Sequence, residues 1–431
     1  MSEWEKDSIK SFSDSFAGGT PSRSRSDYFN GDIPWISSGE INKPYIDNTF
    51  EKITQLGLEN SSAKWIPINS VLVAMYGATA GQVSKNLIEA TSNQAVLALI
   101  PKKDVIDGDF LYYQIKNNKD SILYLAQGSG QPNLSKDLID NFKIWVPKEV
   151  PTQRKIARIL FNVDSVIEKT QAAIAKYKAI KQGMLHDLFT RGIETKTGKL
   201  RPKYEDAPEL YKESKLGWIP KEWEVKIFGE QIELIHGHQF RNYDFTESGV
   251  PVVKIGQVKP ENLDLSHCSF VGFDRVEEFN NEIIRNGDVL MALTGATLGK
   301  ACLVQGLNGV VFQNYRVGRF EPKTRENDIV KTFLYYLLIA GELLNQIFSK
   351  VNSGAQGNIG KADFEKATFK KPKFSEQLLI AQRLQSIDKK IGTEQNYLHK
   401  LQQIKAGLMA DLLSGRKEVI VDEELETQKT T

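Results

Sequence analysis

Two glycine-bracketed segments are where phosphate chemistry would be sought first. Gly295-Ala-Thr-Leu-Gly299-Lys300-Ala301 has the outline of a loop whose amides cradle a phosphate. Its glycines stand one residue too close together, and Ala301 occupies the place of the magnesium-binding hydroxyl. In the related segment Gly77-Ala-Thr-Ala-Gly81, Gln82 takes the lysine position. The pattern predicts a tight turn after a strand, where backbone approaches something closely, rather than a nucleotide site.

Other reactive sets are incomplete as well. His236-Gly-His238 brings two imidazoles without further ligands at metal spacing, and His186, His267 and His399 are scattered. No Ser/His/Asp or Cys/His arrangement recurs. Glu224-Val225-Lys226 has the acidic-x-Lys form found in nucleases, but a matched Asp in the preceding strand is missing. The chain contains no Pro-Pro, which the Asn/Asp-Pro-Pro-aromatic motif of amino-methyltransferases needs to hold its target amine. The sequence therefore predicts a protein without a catalytic centre, cofactor site or metal site of its own.

What does recur is polar without being acid–base chemistry. Asn93-Gln94 and Gln313-Asn314 each precede a strand. The loops Gly128-Ser-Gly-Gln131-Pro-Asn133 and Ser353-Gly-Ala-Gln356-Gly-Asn358 each precede a long helical stretch. Asn and Gln offer a donor and an acceptor together, and glycine admits a backbone closely, as base-edge and phosphate contacts require. The same residues also suit turns whose amides cap backbone groups.

The elements that hold these residues come in two copies. Ser70-Val-Leu-Val-Ala-Met-Tyr-Gly-Ala-Thr-Ala-Gly81 reappears 218 residues later as Asp288-Val-Leu-Met-Ala-Leu-Thr-Gly-Ala-Thr-Leu-Gly299. Phe110-Leu-Tyr-Tyr113 returns as Phe333-Leu-Tyr-Tyr336, and Glu3-Trp4-Glu5 as Glu222-Trp223-Glu224. Such a repeat signals duplication. Strand character marks Ser70 to Met75, Ala95 to Ile100, Val250 to Ile255, Asp288 to Leu293 and Arg316 to Phe320. Phe110 to Leu125 and Ile329 to Phe348 read as helices.

Each copy ends in a heptad pattern. Ile156, Leu160, Val163, Ile167, Thr170, Ile174, Tyr177, Lys181, Met184 and Leu188 form one seam, and the positions 224 residues later form its match, down to Glu394 for Thr170 and Lys405 for Lys181. Polar seam positions are suited to fixing register between partner helices. Helices of this length run roughly 55 to 60 Å. They either pack separately, each on its own segment, or form one shared antiparallel pair, which the overhanging apolar stripe favours. Thr152 and Ser375 are the expected N-caps, and Gly192 and Gly415 the C-terminal stops.

Composition sets the remaining bounds. With 431 residues, 40% hydrophobic and 26% charged, the chain is globular and long enough for several domains. Its formal charge of +2 does not announce a nucleic-acid binder, yet residues 151–191 carry eight basic and three acidic side chains, so positive charge gathers on a helix. Two cysteines, Cys268 and Cys302, make no disulfide framework, and no apolar run is long enough to span a membrane. The sequence predicts a cytoplasmic protein.

Two globular segments, each followed by a heptad helix ending in Lys181-Gln-Gly-Met-Leu-His-Asp-Leu-Phe189 or Lys405-Ala-Gly-Leu-Met-Ala-Asp-Leu-Leu413, closely resemble the specificity subunit of type I restriction-modification enzymes. Leu216-Gly-Trp-Ile-Pro-Lys-Glu-Trp-Glu224 is similar to that family's entry into its second recognition domain. The resemblance covers residues 1 to 416. It implies an α+β fold: two mixed α/β target recognition domains joined by two long antiparallel coiled-coil helices, with an internal pseudo-two-fold repeat. The domains would be 1–150 (target recognition), 151–192 (central helix), 193–216 (an exposed linker), 217–375 (target recognition), 376–416 (distal helix) and 417–431 (an acidic, disordered tail).

The function so implied is non-catalytic reading of double-stranded DNA, one half of a bipartite target per domain, with the helices as a spacing ruler. Two modification (methyltransferase) subunits and restriction subunits would be the partners, and S-adenosylmethionine, ATP and Mg²⁺ would belong to them. The expected DNA contacts are Ser37, Ser38, Tyr76, Thr79, Asn93, Gln94 and Gln131 in the first half. In the second they are Lys254, Gln257, Thr294, Thr297, Asn314, Arg316 and Gln356. Differences between the copies predict an asymmetric target. The competing readings are a stand-alone restriction or methylation enzyme, and a coiled-coil scaffold that binds no DNA.

Overall fold

Val71-Leu-Val-Ala74 is apolar at every position, the signature of a strand covered on both faces. The computed structural model describes residues 3–126, 133–260, 262–323, 328–349 and 358–420. In it Val71–Ala74 is buried throughout and lies centrally in a five-stranded sheet, in the order Ser13–Ala17, Val96–Pro101, Val71–Ala74, Val83–Asn86, Tyr45–Ile46. Pairing is antiparallel except at the last neighbour. Alternation sorts the side chains: Val71, Val73, Leu97 and Leu99 pack with Phe110 and Leu111, whereas Leu72, Ala74, Val96 and Ala98 pack with Ile36 and Ile66. A smaller sheet joins Glu51–Ile53, Phe29–Ile36 and Thr91–Ser92.

The second copy follows the same plan. Ile232–His236, Val317–Pro322, Val289–Ala292 and Ala301–Leu303 form an antiparallel sheet in that order. Val289 and Met291 face Phe333 and Leu334, and Leu290 and Ala292 face Val253 and Val304. Ser269–Val271, Val250–Val253 and Phe312–Gln313 make the smaller sheet. All five strands expected from sequence are present, within two residues at each end.

The two short helical stretches are each broken. Phe110 to Leu125 is two helices, Gly108–Asn117 and Lys119–Leu125, separated at Asn118, whose side-chain amide donates back to Gln114 O at 2.8 Å. Ile329 to Phe348 is likewise Lys331–Ile339 and Glu342–Phe348, interrupted by Gly341 at φ +89°. An amide competing for backbone and a glycine in left-handed conformation stop helices without disturbing apolar periodicity.

The long helices run Val150–Thr190 and Phe374–Leu412. The chain divides into two compact units, one holding residues up to Ala172 and from Asn396 onward, the other Ala173–Gln395. In the first unit, Ile156 and Leu160 of the central helix share a core with Leu412 and Leu413 of the distal one. In the second, Leu185 and Leu188 of the central helix share a core with Ile380 and Leu384 of the distal one. The start of one helix therefore meets the end of the other, and the shared antiparallel pair replaces the alternative of separate packing. Every seam position is buried or half-buried.

Each unit also repeats one polar cluster at the seam. Asp164 accepts from Tyr113 Oη at 3.0 Å and pairs with Lys405 Nζ at 2.5 Å. Asp388 accepts from Tyr336 Oη at 2.7 Å and pairs with Lys181 Nζ at 2.6 Å. The seam lysines thus have defined partners, whereas Thr170 turns its hydroxyl back to Val166 O. A second repeated device anchors the helix starts. The buried amide of Gln153 donates to Val105 O and Pro147 O and accepts from Asp107 N; that of Gln377 donates to Asp328 O and Pro372 O and accepts from Val330 N.

Two local expectations are corrected. Thr152 and Ser375 lie inside the helices, which begin at Val150 and Phe374, so neither is an N-cap. Gly192 and Gly415 do follow the helix ends, at φ +66° and +75°. Residues 193–216 are not simply an exposed linker: Ile193 and Tyr211 are buried, and Arg201 reaches Glu376 at 2.5 Å. Glu376 also accepts from Trp223 Nε1 at 3.0 Å and Ile193 N at 2.8 Å. A charged composition concealed this because the buried arginine is neutralised by a carboxylate distant in sequence. Of the acidic tail, residues from 421 onward lie outside those described.

Candidate nucleic-acid interface

Three turns in each unit carry the polar residues, and the duplicated backbone bonds fix which positions correspond. The first turn follows the central strand. Gly77–Thr79 and Gly295–Thr297 are single 3₁₀ turns entered by glycines at φ +75° and +73°, and Gly81 and Gly299 then donate to Ala74 O and Ala292 O at 2.8 and 2.9 Å. A Cβ on Gly77 would meet nothing within 4 Å, so its conformation, not crowding, demands glycine. This is the tight turn expected in place of a phosphate loop. Tyr76 and Thr294 occupy equivalent positions at its entrance; Tyr76 is exposed and Thr79 half-buried.

The second turn joins Ser37 to Glu40 and Lys254 to Gln257. Ser37 N donates to Glu40 Oε2 at 2.9 Å, and Lys254 N to Gln257 Oε1 at 3.2 Å. Glu40, absent from the sequence reading, is therefore the counterpart of Gln257; its carboxylate also accepts from Ser37 Oγ and Phe50 N, both at 2.9 Å. These groups are largely spent within the protein. Gln257 Nε2 donates to His267 O at 2.8 Å, and Lys254 Nζ lies 4.2 Å from the centre of the Phe245 ring while donating to Ser269 Oγ. Ser38 is half-buried beside Ser37.

The third turn corrects a register. The sequence pairs Asn93-Gln94 with Gln313-Asn314, but Asn93 N donates to Ile36 O and Asn314 N to Val253 O, each from the end of a parallel pairing. Asn93 Oδ1 accepts from Ala95 N at 3.1 Å and Asn314 Oδ1 from Arg316 N at 3.3 Å. Asn93 thus corresponds to Asn314, Gln94 to Tyr315 and Ala95 to Arg316. Both asparagine side chains cap their own turns, as the alternative reading of these amides anticipated. Gln94 is exposed; Gln313 is buried, donating to Ile235 O and Val317 O.

In the second unit the turns border a cleft of about 510 Å³, lined by His236, Ile255, Thr294, Tyr315, Arg316 and Asn358 among others. Arg316 is exposed, with Nε donating to Tyr315 Oη at 2.6 Å. Thr294 Oγ1 is buried with no partner among the described residues. Thr297 Oγ1 is turned to Ile255 O at 3.2 Å, tying the first turn to the second. Of the expected contacts, Thr294 and Arg316 line this cleft; His236, Tyr315 and Asn358 join them without having been singled out for it. Gln131 and Gln356 lie outside the described residues.

His236, His238 and Glu224 each have local partners. His236 Nδ1 sits 3.1 Å from Tyr315 O, while the His238 ring packs against Phe240 and Phe279. Glu224 pairs with Lys226 beside it at 2.9 Å. Among the described residues no three His, Cys, Asp or Glu side chains gather as a metal site, and no helix is long and apolar enough to cross a membrane.

Comparison with known proteins gives the class to which this duplicated arrangement belongs. Residues 1–177 and 220–404 match the family described as the type I restriction modification DNA specificity domain. The chain belongs to that family, the specificity subunits of type I restriction-modification systems, and carries its domain twice. It is 27% identical over 421 residues to the type I restriction enzyme MjaVIII specificity subunit of Methanocaldococcus jannaschii, covering 96% of this chain and 93% of that one. In structure it is similar to the S subunit of a type-I restriction-modification system from M. genitalium, with a TM-score of 0.60 and 17% identity over 95% of this chain and 96% of the other. A chain from a structural study of complex assembly and conformational transition in the type I R-M system aligns with a TM-score of 0.52 and 15% identity, over 95% and 97% of the two chains.

Proposed function

We propose that the chain reads a bipartite, asymmetric sequence in double-stranded DNA, one half through residues 1–150 and the other through residues 217–375. One observation carries this reading: the two units present different side chains on the same turn scaffold. Ser37 stands where Lys254 does, Tyr76 where Thr294 does, Gln94 where Tyr315 does and Ala95 where Arg316 does. A constant backbone with varied side chains at its turns is how one fold reads different bases. Ser38, Thr79, Thr297, Gln131 and Gln356 belong to the same proposed surface. Ser37, Asn93, Gln257 and Asn314 act chiefly by shaping it.

The 41-residue central helix, about 60 Å long at 1.5 Å per residue, and its distal partner are the proposed ruler between half-sites. Half-sites on one face of DNA recur about every 34 Å. Two modification subunits, bound along helix faces that include Lys155, Arg158, Lys169 and Lys176, would methylate adenine in each half, and restriction subunits would complete the cytoplasmic complex. S-adenosylmethionine, ATP and Mg²⁺ are assigned to those partners, and this chain contributes recognition alone. The test is single-molecule methylome sequencing of a host expressing the chain with its modification subunit, against the same host lacking only this chain. A split adenine motif present only with the chain is expected; assembly without any motif returns the scaffold reading.

A further inference from the structure

In the second unit an exposed arginine is braced by its neighbour. Arg316 stands at the lip of the 510 Å³ cleft, its guanidinium 5.2 Å from the centre of the Tyr315 ring and its Nε bonded to Tyr315 Oη at 2.6 Å. Among the described residues no carboxylate pairs with it. With Nε engaged, the two terminal nitrogens remain as an end-on fork of parallel N–H donors. In the major groove only guanine offers two acceptors, N7 and O6, to such a fork; adenine pairs an acceptor with a donor, and thymine and cytosine each present a single polar group. A side chain ordered before binding also loses less conformational entropy on binding. Thr294, whose Oγ1 is buried without a partner among the described residues, also lines this cleft. The first unit has Ala95 and Gln94 at the equivalent positions and so has neither fork nor brace.

We infer that Arg316, braced by Tyr315, reads a guanine in the half-site bound by residues 217–375, and that the other half is read without such a fork. The inference rests on the DNA-reading function proposed above and adds one base and one residue to it. Methylomes of a host expressing the full chain with its modification subunits test it, comparing wild type, R316A and Y315F. The wild-type motif should contain a guanine in one half that becomes degenerate with R316A, with the other half unchanged, and Y315F should relax the same position partially.

In the purified complex, replacing that G·C pair should weaken wild-type binding roughly 10- to 100-fold and R316A binding less than about threefold. A half-site without guanine, a motif unchanged by R316A, or uniform weakening on every duplex, as a phosphate contact would give, overturns the assignment. Should the R316A complex fail to methylate, the duplex series with both proteins carries the test. Absence of any split motif in wild type instead overturns the DNA-reading proposal itself.

Discussion

Lys405 Nζ stands 2.5 Å from an Asp164 carboxylate oxygen, and the pair recurs 224 residues away as Lys181 with Asp388 at 2.6 Å. The apolar seam alone tolerates a slide by one heptad, whereas a lysine bound to one particular aspartate does not. Asp164→Asn leaves Lys405 facing an amide in a largely dry seam. With the two side chains 18% and 27% exposed, the expected loss is about 1–3 kcal/mol, below that of a fully buried pair. Urea unfolding of D164N, K405M and the double variant measures it; strictly additive losses would show that the pair contributes nothing as a pair.

Arg201→Met should cost more, about 3–5 kcal/mol, because it strands the Glu376 carboxylate, which is 1% exposed. Adding Glu376→Gln should recover part of the loss. Trp223, bonded to the same carboxylate, reports the change by its fluorescence. An R201M chain as stable as wild type would mean that residues 193–216 do not fasten the second unit.

Alkaline pH should weaken the fold. Burial, reinforced by the neighbouring aspartates, pushes the phenols of Tyr113 and Tyr336 well above the ordinary tyrosine range. Once pH passes about 10, the unfolded chain releases these protons and the folded chain keeps them, so stability present below that pH is lost as pH rises further. Urea midpoints at pH 8 to 11 should fall at the alkaline end, and Y113F/Y336F should fall less. Equal slopes for the two proteins would refute the assignment.

The two thiols should differ in reactivity. Burial pushes Cys302 up to about 12, and burial followed by the Asp264 charge raises half-buried Cys268. Iodoacetamide at pH 8, followed by mass spectrometry, should label Cys268 slowly and Cys302 only after denaturation, because the thiolate is the reacting form. Faster labelling of Cys302 would mean that its sheet opens readily.

Gly77→Ala and Gly295→Ala probe the turns. Each forces a Cβ into left-handed backbone at about 1 kcal/mol. At Gly77 nothing stands within 4 Å, but at Gly295 the new methyl would meet Ile255 Cδ1 at 3.1 Å, beside the cleft. Melting curves should show similar losses or a larger one for G295A, and only G295A should blur the methylation motif in the half read by the second unit.

Much of this architecture is legible in the sequence because duplication supplies an internal control. The 224-residue match of the seams identifies Lys181 and Lys405 as special, though not the aspartates that bind them, since Asp164 and Asp388 lie one position off the apolar pattern. Breaks at Asn118 and Gly341 are hidden because apolar periodicity continues across them. The off-by-one pairing of Asn93 with Gln313 arose because two adjacent amides look alike until backbone bonds distinguish them. For the site, residue type points to polar turns, but only tertiary structure shows that Asn93, Asn314 and Gln257 spend amide groups internally while Tyr315 braces Arg316.

The sharing of helix ends also has a consequence for synthesis. The core of the first unit takes Leu412 and Leu413, Gln114 Nε2 donates to Leu413 O at 2.8 Å, and a Cβ on Gly415 would touch the ring of Trp4. Trp4 is made long before Leu413, whereas every residue of the second unit has been made by Gln395. The half begun first must therefore wait, partly assembled, until Leu413 is supplied, and a chain halted after Gln395 has cleared the ribosome but before Leu413 has should carry a finished second half and an unfinished first one.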